Sequence, residues 1–330
     1  MKIYHYFTLF IILAFSCKST SNEANLNTET TQQKKIEKEA ITQKHDRDKV
    51  DSTLVINALK TLSSDEFEGR KTGEAGNLKA QAFLIEQFKT LGLLPFGESY
   101  EQAFECVIDR EDKIGKNIVG YIKGSKYPDS FIALAAHYDH EGIKNGLIYN
   151  GADDNASGVG GLLGAAAYYA KNQPLHSIVF LAFDAEERGL QGSYHFAKIP
   201  LFDLKNMRCL INMDMISRNP NRELYASGTY HFPALKPMIE KINQQNPHVL
   251  VQFGHDQPRK SKADPQDWTK SSDHAPFFKK GIPYIYFGVE DHSDYHKPTD
   301  DFEKINLEFY LDVVDFVIDI VGEFDQNLPR

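Results

Sequence analysis

Five short apolar runs constrain the fold of this chain more than any other feature. They are NIVGYI (117–122), FIALAA (131–136), SIVFLAF (177–183), CLINM (209–213) and IPYIYFG (282–288). A strand apolar at successive positions is covered on both faces, which suits a mostly parallel sheet between layers of helices. Helical spacing supplies those layers in STLVINALKTL (52–62), LKAQAFLIEQFKTLG (78–92, stopped at Gly92), GVGGLLGAAAYYAKN (158–172) and LEFYLDVVDFVIDIVGEF (307–324). The alternation predicts an α/β chain: a single α/β/α sandwich domain over 49–330, with a central, mostly parallel (mixed) sheet flanked by helices. Residues 219–271 read as less regular, with surface loops.

The N-terminus has a different character. MKIYHYFTLFIILAFSC carries Lys2, an apolar run from Tyr6 to Phe15, then Ser16 and Cys17. The run is too short to span a bilayer and reads as a secretory signal. With Cys17 after LAFS it looks like a bacterial lipobox, so the expectation is a lipoprotein signal peptide over 1–16 and a membrane anchor through a lipidated Cys17. That places the chain in the cell envelope, on the periplasmic side or the outer surface. The other reading is an ordinary signal peptide cleaved elsewhere. Residues 17–48 are polar and lack aromatics, too little apolar surface to fold, so they form a flexible tether. Cys106 and Cys209 make no disulfide framework and read as buried thiols. A net charge of −9 without a basic patch argues against nucleic acid as a partner.

Polar residues cluster just beyond the apolar runs. His137, Tyr138, Asp139 and His140 follow the second; Asp184, Glu186 and Glu187 follow the third; Asp214 follows the fourth; His292 and His296 follow the fifth. NGADDNASGVGG sets Asp153, Asp154 and Asn155 before a helix, whose N-terminus favours negative charge. Ligands of open α/β sheets bind at the carboxyl ends of strands. Each of these residues alone is more simply a loop histidine or a helix cap. Together, at matching ends of neighbouring strands, they call for cations. Adjacent glutamates at the end of a buried strand repel one another and are costly to desolvate unless something positive faces them.

In this order, AAHYDH, NGADDNASGVGG, FDAEERGLQGS, INMDMIS and DYHKPTDD resemble the motifs of the co-catalytic two-zinc aminopeptidases, the bacterial leucyl aminopeptidase and glutamate carboxypeptidase II superfamily. The resemblance covers roughly residues 51–324. It implies two Zn²⁺ per chain, one held by His137 and Asp214 and the other by Glu187 and His296, with Asp154 bridging them. It implies Glu186 as the general base, Asp139 as the partner of His137, and a cis peptide after Asp154. Asp153 is the alternative bridge and otherwise belongs just behind the site. The implied substrates are peptides with a free N-terminus. Charge agrees: two Zn²⁺ balance Asp154, Glu187, Asp214 and Glu186 when the imidazoles are neutral. The spacing of His137 and Asp139 on an extended segment lets Asp139 orient the imidazole.

Two other readings stay in view. A glutaminyl cyclase shares the fold and uses one zinc; against it stand EERGLQGS and Tyr295, where cyclases usually carry tryptophan, the chain's single tryptophan, Trp268, lying in a loop-like stretch. A non-catalytic binding protein usually loses ligand positions or the base, and here all are retained. No HExxH or G-x-S-x-G motif supports another hydrolase class. For Asp273 and His274, packing and support of the site weigh equally. Tyr284 and Tyr286 are either pocket walls or buried strand residues. His140, His231, His248 and His255 read as surface or structural histidines.

Overall fold

Each apolar run becomes a strand that stops within a residue of where the run stops. The computed structural model describes residues 49–262 and 264–328, so the signal peptide (1–16) and tether (17–48) lie outside the described residues. Along the chain come helices α1 (Ser52–Leu62) and α2 (Ala75–Thr90), then strands β1 (Glu101–Ile108), β2 (Glu111–Ile122) and β3 (Tyr127–His137). A small hairpin of β4 (Gly142–Lys144) and β5 (Leu147–Tyr149) precedes α3 (Gly158–Lys171), β6 (His176–Phe183), α4 (Gln191–Lys198) and β7 (Met207–Met213). The remainder is β8 (Glu223–Ser227), α5 (Lys236–Gln245), β9 (Leu250–Phe253), α6 (Ala275–Lys279), β10 (Tyr284–Gly288) and α7 (Leu307–Asn327).

Eight strands make one sheet in the order β1-β2-β6-β3-β7-β10-β8-β9. Its centre, β6-β3-β7-β10, is parallel, as is β8 with β9. The pairings β1–β2, β2–β6 and β10–β8 are antiparallel. The fold is therefore α/β with a mixed, mostly parallel sheet. Alternate strand residues build the two cores, as the period of two requires. Phe131, Ala133, Ala135, Val179, Leu181 and Phe183 join Phe196 of α4 and Phe277 of α6 in one buried cluster. Their neighbours Ile132, Leu134, Ile178 and Phe180 are fully buried and point to the other face, where α3 and α7 meet β3. Close helix packing there depends on α3 being glycine-rich. A Cβ on Gly160 would sit 2.1 Å from the Tyr310 hydroxyl, which donates to the Ser157 carbonyl at 2.8 Å.

Two parts of the sheet depart from the sequence expectation. β1 is not an apolar run: its residues alternate exposed and buried, with Glu101 and Glu105 facing solvent, as a half-covered edge strand should. The 219–271 segment holds β8, α5 and β9, strands of five and four residues without an apolar run to announce them. Cys106 and Cys209 are free and buried, as expected.

One buried cation organises the approach to the strand ends. Arg70 has no exposed surface and donates to the carbonyls of Tyr138 (2.8 Å), Leu62 (2.6 Å), Asn150 (2.6 Å) and Gly151 (3.0 Å). It thereby ties α1 to both ends of the 138–151 loop. Burial draws its pKa down to about 10, against the raising influence of nearby carboxylates, first among them Asp154. Arg70→Met leaves these carbonyls without a donor. At roughly 1–3 kcal/mol for each unpaired buried acceptor, some of which water can reach, it should cost about 3–5 kcal/mol. Urea unfolding measures this directly, and a loss below about 1 kcal/mol would show that the clamp is dispensable.

Candidate metal centre

Register brings the carboxyl ends of the central strands level. His137 pairs with Phe183, Ala135 with Asn212, and Phe287 with Met213. His137 closes β3, Glu186 and Glu187 occupy the turn after β6, and Asp214 immediately follows β7. Asp154 comes from the turn before α3 and His296 from the loop after β10. The structure brings all of these to one place.

Two donor groups meet at Asp154. His137 Nε2 lies 3.3 Å from Asp214 Oδ1 and 3.4 Å from Asp154 Oδ1. His296 Nε2 lies 3.1 Å from Asp154 Oδ2 and 3.2 Å from Glu187 Oε2. The two oxygens of one carboxylate thus face different imidazoles. Tetrahedral N/O ligands with bonds near 2.0 Å sit about 3.3 Å apart, so the spacing on each side suits a divalent transition metal. Donor atoms of His137, Glu186 and Asp214 also lie within 4.8 Å of one another, placing Glu186 beside the first group. The Asp154–Asn155 peptide is cis.

The protein's own charges leave this cluster short of positive charge. Removal from water raises the Glu186 carboxyl well above the ordinary range; Asp214, Glu187 and Asp273 add to this, and His137 opposes it. Burial and Asp154 also work against ionisation of Glu187, but His140 and His296 hold it down at about 2. Asp154 is held well below its usual value despite burial, by His140, His137 and His296. His137 is raised well above its ordinary value although burial pulls it down, chiefly by Asp214 and Glu186. Against burial again, Asp154 and Glu187 lift His296 to about 10. The carboxylates retain protons on the imidazoles, and a metal ion must displace those protons.

The supporting residues correct one expectation. His137 Nδ1 is bonded not to the Asp139 carboxylate but to the Asp139 backbone carbonyl, at 3.1 Å. The Asp139 carboxylate accepts from the backbone N–H groups of Glu186 (3.0 Å) and Glu187 (3.3 Å). β3 ends at His137, so Asp139 lies on a turn, where its carboxylate bonds the β6 turn while Oδ1 stays 3.8 Å from His137 Nδ1, beside the ring as its partner. Asp153 points away from the centre, accepting from Ser217 N (2.8 Å) and contacting His292 Nε2 (3.1 Å). Asp300, absent from the sequence expectation, accepts from the backbone N–H groups of Asp153 (3.0 Å) and Asp154 (3.1 Å). Asn155 donates to the Met213 carbonyl at 2.9 Å, locking the Asp154 turn to the end of β7.

Beside the donors lies a cavity of about 280 Å³, its wall including Glu186, Met215, Gln266, Trp268, Tyr286 and Tyr295. Trp268 is therefore a pocket residue, buried and stacked on His255 with centroids 3.7 Å apart. Tyr286 lines the cavity, while Tyr284 is fully buried and stacks on His274. Asp273 is buried near Glu186, and burial pushes its carboxyl up to about 7. His140 is not a surface histidine: it is 1% exposed, with Nδ1 2.7 Å from Glu187 Oε1. The H-x-x-H spacing from His137 was the available signal.

The family profile described as "Peptidase family M28" matches residues 117–321. The aminopeptidase YwaD of Bacillus subtilis is 29% identical over 246 residues, covering 69% of this chain and 49% of YwaD. The chain spans about half the length, or less, of the curated relatives it matches, including three fungal proteins described as "Probable zinc metalloprotease" (52%, 48% and 32%). Among solved structures, the Bacillus subtilis zinc aminopeptidase BSAP superposes with TM-score 0.67 at 17% identity, covering 82% of this chain and 94% of that one. Porphyromonas gingivalis glutaminyl cyclase superposes with TM-score 0.70 at 20% identity, covering 84% and 99%. At these identities the two structures establish the shared fold.

With His296 at about 10 and His137 and Glu186 also raised, metal uptake at pH 7.5 should release at least one proton per ion bound, one from each imidazole and a further one as Glu186 ionises. Affinity should then weaken as pH falls. Calorimetric titration in two buffers of different ionisation enthalpy measures the release, and identical heats would contradict it.

Proposed function

The chain belongs to peptidase family M28, and on that premise we propose that it is a two-zinc aminopeptidase removing N-terminal residues from peptides. The observation that carries the reading is the division of the Asp154 carboxylate, one oxygen toward His137 and the other toward His296. One metal would be held by His137, Asp154 and Asp214, the other by Asp154, Glu187 and His296. Zinc suits these N and O donors, and the names of the relatives favour it. When bound, zinc polarises a carbonyl and lowers the pKa of coordinated water toward about 7.

The remaining chemistry belongs to the chain. Glu186 lines the cavity next to His137 and Asp214. As general base it takes the proton of the attacking water, then delivers it to the departing amine. Its raised pKa within the protein's own field falls when cations neutralise the neighbouring carboxylates, leaving it ionised and able to accept that proton. Asp139 keeps the Glu186–Glu187 turn in place through its two backbone N–H bonds. The cavity, about 280 Å³, has room for one side chain, which fits removal of single residues.

One observation favours a second reading, glutaminyl cyclisation: Trp268 forms part of the cavity wall, so its place in a loop no longer counts against a cyclase. The two reactions differ in metal number and product. In Glu186→Gln, amide hydrolysis should fall by about 10²–10⁴ while metal content and melting temperature hold. The test is an aminoacyl-anilide panel run beside cyclisation of N-terminal glutamine. Cyclisation without hydrolysis, at one zinc per chain, would transfer the assignment to the cyclase.

The Lys2–Cys17 stretch supports attachment of the chain to the cell envelope by lipid on Cys17. Cys17→Ser should move it from the membrane to the soluble fraction on cell fractionation; a wild-type chain already soluble would refute the anchor.

A further inference from the structure

We propose that His140 is a sixth metal-ligating residue, joining Asp154, Glu187 and His296 around one ion. The proposal rests on the two-metal reading. It would make the two metal positions unequal.

His140 is buried at 1% exposure, so its ring nitrogens need partners. Nδ1 comes within 2.7 Å of Glu187 Oε1 and 3.7 Å of Asp154 Oδ2. The shorter separation is that of a hydrogen bond, yet the atoms are not aligned for one. Among the described residues neither ring nitrogen of His140, nor Glu187 Oε1, meets a hydrogen-bond partner. Two buried polar atoms in contact without sharing a proton are costly. A cation facing both removes the cost. Donor atoms of His140, Asp154 and Glu187 all lie within 4.8 Å of one another.

The backbone holds the ring in this position. Gly151 has φ +56°, and a Cβ there would lie 2.5 Å from His140 Cγ and Cδ2, so the imidazole lies against bare backbone. The Gly151 carbonyl is in turn held by Arg70 at 3.0 Å. The ring faces His296 across the site, with centroids 5.9 Å apart.

With His140 included, one ion has four protein donors: His140, Asp154, Glu187 and His296. The other has three: His137, Asp154 and Asp214. Four protein ligands close a zinc site in the manner of structural sites, whereas three leave a position for water or substrate. The ion at the closed position should bind tightly, and the ion at the open position should exchange.

The test uses the full chain, purified in detergent and loaded with cobalt(II). With two cobalt ions bound, wild type should show three paramagnetically shifted, solvent-exchangeable imidazole N–H resonances in its proton NMR spectrum, from His137, His140 and His296. His140→Phe keeps a ring but no donor; it and His140→Ala should each lose one resonance. Both should also weaken the tight position by more than the roughly 10–100-fold typical of losing an outer partner. Two resonances in wild type, unchanged in His140→Phe, would overturn the proposal, as would a His140→Phe chain that keeps both ions at wild-type affinity. The wild-type count does not depend on whether a variant folds. Uptake of only one cobalt would overturn the two-metal premise itself, a separate failure visible before any histidine is counted.

Discussion

Repulsion among carboxylates at the carboxyl end of one sheet is the constraint on which the rest of the site depends. Asp154, Glu187, Asp214 and Glu186 converge where the strands deliver them, mostly out of bulk water, and each ionised group makes the next harder to ionise. The protein's own answer is to keep protons on His137 and His296, both raised above their ordinary pKa. That answer fails at the pH where those protons leave. Divalent ions supply the charge more compactly, and they turn an arrangement costly to the fold into one that can polarise a substrate.

Other buried carboxylates nearby show that acidity alone does not mark the centre. Asp184 accepts from Thr72, Asn77, Tyr138 and the Lys116 backbone. Asp139, Asp153 and Asp300 each take backbone N–H bonds, and Glu141 pairs with Arg188. Those carboxylates are satisfied by the protein, and they hold turns in position. Glu187 and Asp154 instead face imidazoles, and Glu187 Oε1 has no hydrogen-bond donor among the described residues. The contrast separates support from reaction centre: a carboxylate held by several N–H groups has fewer lone pairs to offer a metal.

Much of this was legible in the residues because the strands are short and buried, so the side chains just past their ends are forced to the same edge of the sheet. His137, Asp214, the Glu186–Glu187 pair and His296 could be placed from that rule, Asp154 from its position before a helix, and the motif resemblance then chose His296 over His292 and Asp154 over Asp153. The rule is silent on partners across the fold. Asp300 sits 146 positions from Asp154, and its role exists only because the 289–300 loop folds back over the Asp154 turn. Trp268 looked like a loop residue because it is one; the loop happens to form the pocket wall. Asp139 does sit beside His137, but it is its backbone carbonyl that bonds the ring, because side-chain direction cannot be carried along a strand that ends two residues earlier. β8 and β9 have no apolar run to mark them, since β9 is the edge strand, β8 is its neighbour, and both are only partly covered.

The choice between hydrolysis and cyclisation does not turn on the set of ligands, because one scaffold accommodates both reactions. It turns on how many cations the centre holds at once. A peptide carbonyl attacked by water needs charge stabilisation at the oxygen and a nucleophile prepared beside it, and two ions sharing one carboxylate provide both. Cyclisation of glutamine brings its own nucleophile, the substrate's amine, and one ion suffices to polarise the amide. The Asp154 carboxylate has an oxygen directed at each of two separate imidazoles, an arrangement that two ions would use in full. That geometry is the physical ground on which the proposed hydrolysis rests.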